Sequence, residues 1–536
     1  MLKWYPWSSS TFHKAAQENK PLLLYLFSSR SHLARRLDQE SYADPKTVAL
    51  IEFRFIPIRV NIDQRPDLAL RYAQEGVPTQ WALTPSGDPF WKGSYLEATA
   101  LREALEKVGD LFREHPEKIL DHLESQTNPV LKSAELSSDW VRKTLGDLLS
   151  HGHPPRLRSL EFLLYAAREF REEKASKKLK QIISDGRDLT LPESRILFRC
   201  GRWAKFYLDA FTFSRDSEFK RRGVQALEKM RGLFCVQEKG FSEDGRHFYA
   251  EDNAIVIPAL LKAAAVLDTN KTQWESLALE ALSFLRDNCF NPQLGLRHHW
   301  HREEKQKSSE EREEDRLMGL LGDQAWTLLA FTQAHQYFGE KSYRDFADVL
   351  LKHMFQTLWD REGGGFWDRV EQEQRDWGRL KWKIKPVEEN LVVLEALWRL
   401  HYLKGSANYK QWLQMGLENI VPLASSSMSH LSFCARITDH FLNGRMELNL
   451  VGKKEDPQTR RMLEALHRFY IPRAVISFID PDDQDFILAH KMKVAQYPHL
   501  FFTSEGKVVS LGGAPSEIEI VLKNLSQISR NPLKPV

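Results

Sequence analysis

A chain of 536 residues exceeds what one core accommodates, since single cores stop growing beyond roughly 250–300 residues; its 42% hydrophobic and 28% charged residues are the mixture of an ordinary globular protein. With 76 basic against 73 acidic side chains the formal charge is +3, which leaves no surplus for neutralising a run of phosphates and argues against nucleic acid as a partner. No stretch of about 18 apolar residues is present to span a bilayer, Met1-Leu2-Lys3-Trp4-Tyr5-Pro6-Trp7 lacks the apolar stretch of a secretory signal, and the expectation is a cytoplasmic protein without a membrane partner.

The first predicted element is Pro21-Leu22-Leu23-Leu24-Tyr25-Leu26-Phe27, a short apolar run that suits a strand buried on both faces. His32 to Phe53 has helical periodicity with a break near Pro45, and Phe55-Ile56-Pro57-Ile58-Arg59-Val60-Asn61 completes a strand-helix-strand unit. Gly76-Val77-Pro78-Thr79 then leads into Gln80-Trp81-Ala82-Leu83-Thr84, and Pro85-Ser86-Gly87-Asp88 turns the chain into Pro89-Phe90-Trp91.

A strand-end site followed by Val77-Pro78-Thr79 is similar to the thioredoxin arrangement, with Pro78 as the cis proline. Trp4-Tyr5-Pro6-Trp7, Asn19-Lys20-Pro21, Glu40-Ser41-Tyr42-Ala43-Asp44-Pro45, Val60-Asn61-Ile62-Asp63 and Thr84-Pro85-Ser86-Gly87-Asp88-Pro89 more narrowly resemble the thioredoxin-fold domain of the spermatogenesis-associated-protein family. The resemblance implies a six-hairpin helical toroid after that domain. It also implies a Cys-His-Trp-Cys-His site at the strand end, and here the chain departs from the family. The two cysteine positions fall on Ser31 and Ala34, the tryptophan on Leu33 and the last histidine on Arg35, while His32 matches. Disulfide exchange requires a thiolate, so this remnant (Ser31, His32, Ala34, Pro78) is a degenerate redox site. The bland role for Ser31 is to cap the following helix; the sharper one is a Ser31–His32 hydrolytic or ligand-binding site, for which no partner acid is identifiable.

From about Leu101 to Ser429 periods near 3.6 dominate, with helices such as Leu160 to Ile183, Ile196 to Phe213, Phe219 to Phe234 and Leu391 to Tyr402. Three helix openings recur about seventy residues apart: Glu251-Asp252-Asn253-Ala254, Gly322-Asp323-Gln324-Ala325 and Glu388-Glu389-Asn390. Glycine- and aromatic-containing stops precede each, among them Gly363-Gly364-Gly365-Phe366-Trp367-Asp368, and fit hairpin loops between antiparallel helices. Helix pairs recurring in this way fit an (α/α)6 toroid, and these openings resemble those of six-hairpin glycosidases and N-acylglucosamine 2-epimerase relatives. Sugar rings need acceptors for their hydroxyls and flat apolar surfaces for their C–H faces. Asp252, Asp323 and Glu388 are therefore the candidate catalytic residues, and Tyr249, Asn253, Trp326, Trp367 and Asn390 the candidate substrate-binding ones, with Trp203, Phe366 and Trp382 as further stacking surfaces and Glu389 beside them. Helix capping is the alternative for the aspartates, and core packing the alternative for the tryptophans.

His298-His299-Trp300-His301 admits metal or base chemistry, but its spacing argues against a helix-borne zinc site, and a solvent-exposed loop is the expectation. Cys200, Cys235, Cys289 and Cys434 are widely separated and sit among apolar residues, as buried structural thiols do; neither metal nor cofactor is expected. The mixed-charge run Arg302 to Arg316 reads as a solvated face. At the end of the chain, Arg445 to Gly452 and Ala474 to Ile479 read as strands flanking a helix, a later pair is joined by Ser504-Glu505-Gly506, and a helix from Pro515 to Leu525 follows. Tyr497-Pro498 before a strand echoes Val77-Pro78. The expectation is thus a multidomain α+β chain: a thioredoxin-like α/β domain over 1–115, an (α/α)6 helical toroid over 116–440 and a small C-terminal α/β unit over 441–536 that itself reads as thioredoxin-like. Two functions remain open: a carbohydrate-recognising or carbohydrate-active protein with a sugar or small-molecule ligand, and a non-catalytic scaffold with a protein partner.

Overall fold

The computed structural model describes residues 2–116, 119, 133–150, 155–184, 196–302, 317–514, 516–517 and 520, apart from Arg30 and positions 74–75, 373–375, 405–406, 445 and 505–506. Most of the charge run after Arg302, the Glu505-Gly506 turn and most of the proposed helix after Pro515 lie outside the described residues. Two compact units emerge: residues 1–130 with Asp368–Ile384, and residues 131–367 with 385–536.

In the first unit a four-stranded sheet has the order β2-β1-β3-β4, built from β1 (Leu22–Phe27), β2 (Ile56–Asn61), β3 (Thr79–Leu83) and β4 (Pro89–Gly93). β1 runs parallel to β2 and antiparallel to β3, so it is central and its leucines are buried on both faces. Leu22, Leu24 and Leu26 meet Phe12 of α1 (Ser9–Glu18) and Tyr72 of α4 (Pro66–Tyr72) on one face. Leu23 and Tyr25 meet Leu37 of α2 (His32–Gln39), Ile51 of α3 (Pro45–Arg54) and Leu101 of α5 (Ala98–Glu114) on the other. The Val77–Pro78 peptide is cis, as expected for this fold.

Residues 368–384 complete the same unit, although they stand in the sequence among the helices of the second. Arg71, with a side chain 1% exposed, donates to Asp368 at 2.6 Å, to the Arg379 carbonyl at 2.7 Å and to the Trp382 carbonyl. Trp377 stacks on Phe12 with ring centroids 5.0 Å apart, and Leu380 enters the core beside Tyr72. Gly87 and Gly378 touch backbone to backbone at positive φ; a Cβ on Gly87 would lie 2.5 Å from the Gly378 Cα, so neither position accepts a side chain.

In the second unit, twelve helices among the described residues up to Leu442 fall in pairs: α6 (Ser138–Ser150), α7 (Leu157–Glu169), α8 (Glu173–Ser184), α9 (Ile196–Ser214), α10 (Ser217–Arg231), α11 (Ala250–Val266), α12 (Lys271–Phe284), α13 (Leu321–Phe338), α14 (Lys341–Thr357), α15 (Val387–Lys404), α16 (Ala407–Leu423) and α17 (Met428–Leu442). α7, α9, α11, α13, α15 and α17 each pack on the next, and α17 packs back on α7, which closes a ring of six. α8, α10, α12, α14, α16 and α6 cover that ring from outside. The inner helices are apolar round most of their circumference, as in Ala254-Ile255-Val256-Ile257 and Leu391-Val392-Val393-Leu394, because each is covered on all sides. This is the (α/α)6 toroid. The helix read from Leu160 to Ile183 is two helices, α7 and α8, separated where Arg171 takes φ 52°.

Short strands in the loops between helices pair β5 (Phe234–Cys235) with β6 (Gly240–Phe241), β7 (His247–Tyr249) with β10 (His299–His301) and β8 (Phe290–Asn291) with β9 (Gly295–Leu296); after the ring, β11 (Met446–Val451), β12 (Ala474–Ile479), β13 (His499–Ser504) and β14 (Lys507–Gly512) form a sheet of order β12-β11-β13-β14, with α18 (Pro457–His467) and α19 (Gln484–Ala489) between its strands. Strand senses match those of the N-terminal sheet, and Tyr497–Pro498 is cis before β13 as Val77–Pro78 is before β3.

Candidate functional site

In the thioredoxin-like unit, Ser31 caps α2: its hydroxyl oxygen accepts from the Ala34 N–H at 3.2 Å. Ala34 is 1% exposed and its carbonyl accepts from the Tyr25 hydroxyl, so a packed methyl stands at the second sulfur position, while His32 is exposed.

At the toroid's mouth, where the inner helices begin, the amide that follows each opening acid is spent on backbone. Asn253 Oδ1 accepts from Phe241 N–H at 2.7 Å, and its Nδ2 donates to the Phe241 and Tyr249 carbonyls. Asn390 repeats the pattern on Phe366, with a second donation to Pro386, and Gln324 donates to Gly319. Asn253 and Asn390, expected to bind substrate, instead fix the hairpins that enter their helices. Both are fully buried.

Glu388 is likewise reassigned. Its Oε1 lies 2.7–2.8 Å from Arg158 of α7 and 3.1 Å from Arg202 of α9, the latter directly across the ring. Burial alone would raise its pKa, but the two guanidiniums outweigh that and hold it at about 2, so it has no proton to give near neutrality. Arg158 also pairs with Glu161, and Glu395 with Arg399 and Arg436. Trp326, 5% exposed, lies under both Arg158 and Arg202, at 5.5 and 5.7 Å, and is an axial packing residue. Charged side chains thus cross the ring's axis. Their sequence signal was a lone charge inside an apolar run, as at Glu395 in Leu394-Glu395-Ala396-Leu397.

The other tryptophans separate. Trp203 packs with Phe206 and Tyr207, Trp367 covers the Lys385 ammonium at 4.5 Å, and Trp382 belongs to the thioredoxin-like unit and lies beside Arg379. Phe366 is fully buried.

Asp323 is 1% exposed and does cap a helix, but its neighbour's: it accepts from the Glu251 N–H of α11 at 3.1 Å. The same carboxylate lies 3.0 Å from Nδ1 of His298. His298-His299-Trp300-His301 is therefore no exposed loop. β10 (His299–His301) pairs antiparallel with β7 (His247–Tyr249), setting His299 opposite Tyr249 and His301 opposite His247. His298 is 4% exposed, and the Tyr249 ring centroid lies 5.4 Å from its imidazole. Burial and neighbouring positive groups push the His299 pKa well below 6.5, keeping that ring neutral. Asp252 is buried in the first turn of α11, and Glu251 and Glu389 face each other across Gly322. The structure therefore unites Asp323, Tyr249 and the histidines, and sends Glu388 to the axis. Among the described residues no group of three or more His, Cys, Asp or Glu side chains is placed to hold a metal ion, and no helix is long and apolar enough to cross a membrane.

Residues 1–131 match the model of the Thioredox_DsbH family, described as a protein of unknown function, DUF255. Spermatogenesis-associated protein 20 of Rattus norvegicus is 28% identical over 150 residues, covering 25% of this chain and 19% of its own length. This chain thus spans about one fifth of that relative. The resemblance read from the N-terminal motifs is borne out. Among solved structures, a D-mannose isomerase is 13% identical, with 58% of this chain and 99% of that one covered at a TM-score of 0.45. A GH76 alpha-mannanase from Bacteroides thetaiotaomicron is 9% identical, with 56% and 95% covered at a TM-score of 0.42.

Proposed function

We propose that the toroid's mouth binds a reducing sugar and moves a proton on it, with His298 as the base and Asp323 as the group that orients it, while the thioredoxin-like unit performs no thiol chemistry. The observation that carries this reading is the buried Asp323–His298 pair at 3.0 Å beside the Tyr249 ring. An aspartate on Nδ1 fixes the ring's orientation and stabilises the imidazolium that forms when Nε2 takes a proton from the carbon next to a carbonyl. Return of that proton to C1 of the enediolate, with the O2 hydroxyl proton passing to O1, gives the ketose isomer. Hydrolysis is less well supported, since it needs two carboxylates, one of them protonated; Glu388 is held ionised and Asp323 is engaged by His298 and Glu251. Glu251, Glu389 and Tyr249 supply acceptors and a flat face for a polyhydroxylated ligand.

The test is proton NMR of a panel of reducing sugars in deuterium oxide. Solvent deuterium should enter at C2 with the native chain, not with His298→Gln, and more slowly with Asp323→Asn, which keeps an acceptor for the Glu251 N–H. A panel without exchange and without any sugar-dependent thermal shift refutes the reading. The ion pairs across the axis favour the second one, a non-catalytic scaffold, because they fill space that a deep substrate channel would use.

A further inference from the structure

At the opposite end of the ring from the mouth, the C-terminal halves of the inner helices and the segment joining α18 to β12 line a solvent-open cavity of about 140 Å3. Its charged lining is Lys205 and Asp209 of α9, Lys262 of α11 and Arg399 of α15. Asp209 pairs with Lys205 at 2.6 Å and with Lys262 at 3.2 Å, one carboxylate between two ammonium groups. Arg399 reaches the edge of Glu395 at 3.4 Å, an acid already held by Arg436 at 2.9 Å, and donates from Nη1 to the Ala474 carbonyl at 3.5 Å. Its buried Nε has no acceptor among the described residues. Three cations therefore line the cavity with one acid.

The remaining polar lining is neutral. Burial holds the His467 pKa down at about 4, with Nε2 donating to the Gln336 carbonyl, and pushes the Tyr470 hydroxyl well above its ordinary value. Burial also lowers the Lys262 pKa despite Asp209, with Lys205 and Arg215 adding repulsion, and the ammonium donates to the His467 and Phe469 carbonyls at 3.2 and 3.4 Å. Leu261, Leu466, Phe469, Ile471 and Ile476 form apolar walls. A space of this size suits a body of about six heavy atoms, given that a cavity of about 150 Å3 holds benzene.

We propose that this cavity is a binding site for a small organic carboxylate, its oxygens among Lys205, Lys262 and Arg399 and its short aliphatic body against Leu261, Phe469 and Ile476. The site is separate from the mouth and does not depend on the sugar reading. Charge-assisted hydrogen bonds to a carboxylate beside these apolar walls give binding that an uncharged isostere cannot reproduce.

The probes are isovalerate, isovaleramide and inorganic phosphate, titrated into the full-length chain by thermal shift and calorimetry. Isovalerate should raise the melting temperature saturably, the amide should not, and Lys205→Gln should weaken isovalerate about tenfold. Because the Lys205 side chain is 39% exposed, that variant keeps the fold; Arg399→Gln provides a second, more buried test with the same expected loss. The proposal is overturned by an absent isovalerate response, an equal response to the amide, tighter binding of phosphate than of isovalerate, or unchanged affinity in Lys205→Gln.

Discussion

Replacing Glu388 with glutamine asks whether charge holds the toroid's axis together. The carboxylate's pKa falls from its ordinary 4.5 to about 2, and at about 1.36 kcal/mol per unit this is a preference of roughly 3 kcal/mol for the ionised folded form. The side chain is only 18% exposed, so little of that is lost to solvent screening. Glutamine occupies the same space but leaves Arg202 without its carboxylate and Arg158 with Glu161 alone. Removing one partner of a buried ion pair costs about 3–5 kcal/mol, so both routes give a loss of about 3 kcal/mol at neutral pH. Because the folded pKa is the lower one, this stabilisation is complete above the unfolded value and drains away as pH falls from about 4.5 towards 2. Urea unfolding of both chains, followed by far-UV circular dichroism, should therefore show a constant difference from pH 7 to about 5.5 and a narrowing one below about 4.5. A cost under about 1 kcal/mol at neutral pH, or one that does not narrow on acidification, refutes the argument.

Asn390→Ala should cost about 3 kcal/mol in the same assay, since it strips partners from the Phe366 N–H and carbonyl and from the Pro386 carbonyl; a loss within 0.5 kcal/mol would show that the hairpin does not need its clamp. Ser31→Ala should lose about 1 kcal/mol of stability through the missing cap. Insulin reduction by the native chain and by Ser31→Ala should both stay at background, and turnover above background by either would contradict the assignment of a degenerate site.

What the sequence made legible was what short-range pattern encodes. The leucine run at β1, the Ser31 cap and the cis Pro78 follow from residues within a few positions of one another, and the three helix openings are visible because the same hairpin is built three times. What it concealed was decided at long range. Nothing near Trp377 or Leu380 announces that they pack on Phe12 and Tyr72, since the arginine that secures the segment, Arg71, lies about three hundred positions earlier. The histidines of β10 are too polar to read as a strand; they become one because His247–Tyr249 offers a partner edge. Glu388 reads as a candidate acid at a helix opening until Arg158 and Arg202 are placed beside it in the ring.

The repeated helix openings also explain why acids at equivalent positions do different work. In the register set by Asn253, Gln324 and Asn390, the amides are equivalent and structural, as a hairpin anchor must be. One position earlier stand Asp252, Asp323 and Glu389, and of these Asp323 engages His298 because β10 leads into the hairpin before α13. One position earlier again stand Glu251, Gly322 and Glu388, and here the repeat breaks. A Cβ at Gly322 would lie 3.6 Å from Glu251 and 3.7 Å from Glu389, so a third glutamate would force carboxylates together beside Asp323. Glycine there keeps Glu251 and Glu389 at ordinary contact distance, beside the opening whose acid, Asp323, meets His298.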